Sequence, residues 1–131
     1  MVLIHKIIET DDNFIQTSVT ITPDSLFQNE QGNIPTWIGI EYMAQSIAAY
    51  SGAKHSRNKE IVKPGFLVGT RTYEAFTDYF MQGKTYLINA KLIYIDSGLG
   101  AFECNMIEES TGAECCVAKI NVYEPDNLNN L

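Results

Sequence analysis

TWIGIEYMAQSIAAY, residues Thr36 to Tyr50, is the one stretch of this chain that reads as a long helix, and the fold follows from what must surround it. Pro35 suits the entry of that helix and Gly52 its exit. At helical spacing Trp37, Ile38, Ile40, Met43, Ala44, Ile47, Ala48, Ala49 and Tyr50 point in nearly every direction, so the helix is expected to be wrapped by the rest of the chain. Strands are what the chain offers for wrapping. Residues 1–22 read as an opening hairpin: LIHKII and the alternation Ile15, Thr17, Val19, Ile21 are rich in β-branched side chains and break at the acidic turn Asp11-Asp12-Asn13. Residues 23–34 are dense in turn formers and read as loop. Beyond a polar stretch at 53–63, strand-like runs at 64–77, 84–95, 101–109 and 114–124 are separated by turn signals at Asp78 to Gly83, Asp96 to Gly100 and Ser110 to Gly112. That spacing predicts an antiparallel meander. The sum is an α+β domain in which a sheet curls around a central helix.

Composition bounds the rest. A chain of 131 residues suits one domain, expected over 1–125 with a flexible tail at 126–131 (DNLNNL), and 45% hydrophobic residues supply a real core. Nine basic against 16 acidic residues, a net charge of −7, argue against a duplex nucleic-acid binder. No apolar run approaches a membrane span, and Lys6, Glu9, Asp11 and Asp12 interrupt the amino terminus where a signal peptide would be apolar; a cytoplasmic protein is expected. Cys104, Cys115 and Cys116 have no metal-ligand spacing and read as reduced packing residues, the vicinal pair facing opposite ways on a strand. No metal or cofactor is called for. Gly65 and Gly69 are read as places where strand and helix backbones approach closely.

Chemistry centres on the helix. Glu41 and Gln45, four residues apart, share one narrow polar stripe among apolar neighbours. A carboxyl wrapped in apolar surroundings is expected to hold its proton to higher pH, which suits a general acid. The two histidines, His5 and His55, read as structural or exposed, and Ser46 has no histidine near it in sequence to make a hydrolase. The aromatics Trp37, Phe66, Tyr73, Phe76, Tyr86 and Tyr94 read as core by default.

Glu41 followed by Tyr-Met-Ala-Gln-Ser, with Pro35 six residues before it, resembles the central-helix signature of hotdog-fold 3-hydroxyacyl-acyl-carrier-protein dehydratases. TWIGIEYMAQSIAAYSG and GFLVGTRTYEA resemble more closely the dehydratases of aryl-polyene biosynthesis clusters, over nearly the whole chain. The resemblance implies a hotdog fold with five or six strands, and a reaction in which a His removes the α-proton of a 3-hydroxyacyl thioester while the helix carboxyl protonates the departing hydroxyl. Glu41 takes the acid's place, Gln45 orients it, and the backbone N–H of Thr36 polarises the thioester carbonyl. Trp37 and Phe27 are the aromatic candidates for contact with the acyl chain. Phe27 stands fourteen positions before Glu41, where the family has its His, so the base is missing.

Three explanations stay open: a heterodimer with a homologous His-bearing subunit, which leads; a homodimer with another base; and a non-catalytic subunit. A thioesterase on the same fold is a further alternative. The implied substrate carrier, an acidic acyl carrier protein with its phosphopantetheine arm, fits the concentration of Lys54, Arg57, Lys59, Lys63 and Arg71 against the single acid Glu60. Arg71 is the expected phosphate ligand, with Lys63 beside it in the same role.

Overall fold

The computed structural model describes residues 3–57, 67–96 and 98–123. Strands β1 (Lys6–Thr10) and β2 (Phe14–Thr20) form the expected hairpin; a two-residue strand β3 (Ile34–Pro35) and a 3₁₀ turn (Thr36–Ile38) lead into helix α1 (Gly39–Arg57). Then follow β4 (Leu67–Ala75), the short β5 (Tyr79–Phe80) and the long β6 (Thr85–Asp96), β7 (Leu99–Glu108) and β8 (Glu114–Tyr123). Six strands make one antiparallel sheet in the order β1-β2-β6-β7-β8-β4, while β3 and β5 pair separately. The last three strands are the expected meander. The run before them is not its neighbour: β4 crosses to the far edge and pairs with β8, while β6 pairs with β2.

Alternation explains which side of each strand faces α1. Ile15, Thr17 and Val19 of β2, Tyr86, Ile88 and Ala90 of β6, Cys104 and Met106 of β7, and Cys116, Ala118 and Ile120 of β8 are buried in register. Small residues occupy the middle of that surface, where Ala90, Cys104 and Ala118 lie side by side and leave room for the helix. Ile38, Tyr42, Met43, Ile47 and Tyr50 fill it, and Tyr42, Phe80 and Tyr86 pack edge to face. The outer surface carries a polar row. Gln16, Asn89, Asn105 and Glu114 are joined across four strands by side-chain hydrogen bonds of 2.9, 2.9 and 3.0 Å.

The expected wrapping of the helix is corrected. One sheet covers one side of a helix, so Trp37, Glu41 and Ala48 are exposed, with Ala44 and Gln45 half-buried between them. Nor does α1 stop at Gly52, where a Cβ would meet nothing within 4 Å; it runs on through part of the polar stretch to Arg57. The vicinal cysteines do not face opposite ways. Cys115 is the extra residue of a bulge between β7 and β8, so both it and Cys116 turn inward, free and buried. Trp37, Phe76 and Tyr94, expected in the core, are exposed. Gly69 has nothing within 4 Å of a Cβ, so it marks no close approach; Gly65, Phe66 and the tail at 126–131 lie outside the described residues. Among the described residues no helix is long and apolar enough to cross a membrane.

Candidate active site

The helix start is where sequence and geometry converge. Pro35, with φ −58° and ψ 138°, delivers the chain into the 3₁₀ turn, and the first two N–H groups of such a turn have no partner within it. The amide of Thr36 is occupied nonetheless: it donates to the Asp78 carbonyl at 3.1 Å, as does the Thr36 hydroxyl at 3.2 Å. Thr36 therefore sits where the spacing placed it but is not the free donor expected. Trp37 has the next amide, and among the described residues nothing accepts from it.

Three elements fix this corner. The Tyr73 hydroxyl of β4 donates to the Thr36 carbonyl, which also accepts from the Gly39 N–H. A Cβ on Gly39 would stand 2.7 Å from Tyr73 Oη, 3.2 Å from Cys116 Sγ and 3.3 Å from Phe80 Cζ, so only glycine fits this approach of helix to sheet. Burial, reinforced by Cys116, pushes the Tyr73 phenol well above its ordinary range, and burial pushes the Cys116 thiol up to about 11. Both are neutral, structural groups at physiological pH. Tyr73 reaches the helix because β4 carries a bulge between Thr70 and Thr72. Without the extra residue, strand alternation would turn Tyr73 to the opposite face.

Glu41 lies in the first turn of α1, a position that the helix dipole favours for a carboxylate. It is exposed, and no hydrogen bond or ion pair among the described residues holds it. The apolar enclosure expected around it is not supplied by the described residues. Gln45 does not orient it either, since Gln45 Oε1 accepts from the Leu3 backbone N–H at 2.5 Å and ties the amino-terminal segment to the helix. Trp37, 65% exposed, stands one turn before Glu41 on the same open face as Ala48.

The remaining candidates scatter. Phe27 is 47% exposed in the loop before β3 and has φ 68°, a conformation that costs a bulky side chain of order 1–3 kcal/mol. That loop is held by Asn29, whose Oδ1 accepts from the amides of Gln31 and Asn33 at 2.9 and 3.0 Å, and by Asn33 Oδ1, which accepts from the Gln82 amide at 3.0 Å. Among the described side chains no imidazole takes the place of Phe27: His5 lies just before β1, with Nδ1 accepting from the Thr20 amide at 3.2 Å, and the side chain of His55 is not among those described. Arg71 is the bulged residue of β4, exposed on the sheet edge. Lys63 lies outside the described residues. Sequence reasoning missed the Trp37 amide and Tyr73; the pairing of β4 with β8 that brings Tyr73 to the helix is a long-range fact with no local signal.

Residues 1–131 match the model of the ApeP-like family, described as ApeP dehydratase. The chain belongs to the ApeP-like dehydratase family. It is a dehydratase, a lyase of aryl-polyene biosynthesis, on a hotdog fold. Among solved structures it is similar to the dehydratase heterocomplex ApeI:P from Xenorhabdus doucetiae, at 29% identity and a TM-score of 0.87 over 99% of this chain and 90% of that one. A hypothetical thioesterase with coenzyme A from Streptococcus pneumoniae shares the fold at 10% identity and TM-score 0.69, over 90% of this chain and 86% of that one. The PaaI protein of E. coli does so at 12% identity and TM-score 0.65, over 91% and 78%. No curated protein matches the chain.

Proposed function

We propose that this ApeP-like dehydratase contributes Glu41 to a site completed by a second, homologous subunit, and that the pair dehydrates 3-hydroxyacyl groups carried on an acyl carrier protein in the cytoplasm. One observation carries the reading: Glu41 stands exposed in the first turn of α1, one turn from Trp37, whose amide has no acceptor among the described residues. The similar ApeI:P heterocomplex supports a two-subunit assembly. A partner laid over that face would remove Glu41 from water, and burial favours the protonated acid.

In the assembled site the thioester carbonyl accepts from the Trp37 N–H at the positive end of the helix, which acidifies the α-carbon. A base from the partner, the histidine that Phe27 replaces here, takes the α-proton as the Cα–Cβ double bond forms. The β-hydroxyl leaves with the proton of Glu41, giving the trans-2-enoyl thioester and water. The indole of Trp37 offers a flat wall to the acyl chain beside the reacting carbons. Phe27, strained and exposed, is proposed as an acyl contact rather than as part of the proton path.

Reconstitution tests this. A 3-hydroxyacyl carrier protein is incubated with the chain alone, and with the chain co-expressed with a homologous subunit bearing His at the Phe27 position, while enoyl absorbance and free thiol are followed. Enoyl product that depends on the pair is expected. Full activity of the chain alone, or thiol release without enoyl product, would overturn the reading.

A further inference from the structure

Among the described residues β4 is an unpaired edge of the six-stranded sheet, and every described side chain from Gly69 to Phe76 except Tyr73 is exposed along it. Such an edge invites another strand. Arg71 is both the bulged residue and the midpoint of Leu67–Ala75, and it has no ion pair or hydrogen bond among the described residues. The position decides which strand can pair well. When two copies of β4 pair antiparallel along their whole length, Leu67 meets Ala75, and Arg71 meets its own copy at the two-fold axis. Glu74, the other charge of the strand, is matched to the position of Val68 and gives no relief. Lys119 of β8, opposite Thr72, sets another cation beside each Arg71, and its in-sheet neighbour Glu103 lies one strand further from the seam. Like charges directly opposite on paired strands repel, and opposite charges attract.

We propose that Arg71 selects the partner: it penalises pairing of β4 with a second copy of this chain and favours the edge strand of a related hotdog subunit that carries a carboxylate at the matching midpoint. The bulge strengthens the effect by interrupting the ladder where two identical strands would have to coincide. The proposal rests on the two-subunit reading above, but its test reads assembly and not turnover, so the two fail separately.

The experiment is native mass spectrometry of the full chain, isotope-labelled, mixed with an equal amount of unlabelled R71E chain. Indifferent strands give mixed dimers as about half of all dimers. Opposed charges at one seam are expected to raise the mixed association constant about five- to tenfold over the mean of the two like-charged dimers. The preference is expected to shrink at 1 M salt, where screening leaves a Debye length of about 3 Å. A mixed fraction of one half at low salt, or no dimer in any mixture, would overturn the proposal.

Discussion

Replacing Gly39 with alanine sets two physical effects against each other. In a helix, alanine is better than glycine by up to about 1 kcal/mol, so intrinsic preference says the variant gains stability. The packing says the opposite. The new Cβ would lie 2.7 Å from Tyr73 Oη and within 3.3 Å of Cys116 Sγ and Phe80 Cζ, so the phenol must retreat from the Thr36 carbonyl. Overpacking costs about 1–3 kcal/mol and a lost hydrogen bond about 0.5–1.5, which leaves a net destabilisation of about 1–3 kcal/mol after the helix gain. Urea denaturation of Gly39→Ala, Tyr73→Phe and the double variant measures this. The alanine should cost at least about 1 kcal/mol less when Tyr73 has lost its hydroxyl, because the closest contact is then gone. A Gly39→Ala chain more stable than the parent, or a cost unchanged by Tyr73→Phe, would refute the reasoning.

Other outcomes follow from the same geometry. Ser46 Oγ and Thr17 Oγ1 are buried together at 2.7 Å, so Ser46→Ala should cost about 1–3 kcal/mol by leaving the threonine unsatisfied, and Thr17→Val added to it should recover part of that loss in thermal unfolding. The Lys84 ion pair and the Thr111 hydroxyl hold the Glu108 carboxyl below its ordinary range. Its stabilising effect is therefore complete above the unfolded value near about 4.3 and lost as pH falls through the lower folded value. Denaturation of the parent and Glu108→Gln chains between pH 6 and about pH 3 should show the parent's advantage fading with acid; a constant difference would contradict this.

The sequence made the central strands legible because they have one wet face, and their alternation, as in Ile15, Thr17 and Val19, and the turn signals between 78 and 112 are local patterns with local causes. The helix was legible from its Pro35 entry and its unbroken density of apolar residues, and so was the exceptional carboxyl within it. What could not be read there depended on distant partners. The bulge at Arg71 that turns Tyr73 inward, the one at Cys115 that buries two adjacent thiols, and the Asp78 carbonyl that occupies the Thr36 amide are set by strand pairing across the sheet. The apolar residues all round α1 were read as a demand for wrapping within one chain. Part of that demand falls on the open face of Trp37, Glu41 and Ala48, and a second subunit is the means we propose to meet it.

The central claim is that Glu41 delivers the proton that lets the hydroxyl leave. Its most direct test is the dehydration rate of the assembled pair carrying Glu41→Gln, with assembly confirmed by native mass. A positioned general acid contributes about 10²- to 10⁴-fold, so a loss of kcat in that range from an intact complex is expected. An intact complex that turns over at the parent rate would contradict the account.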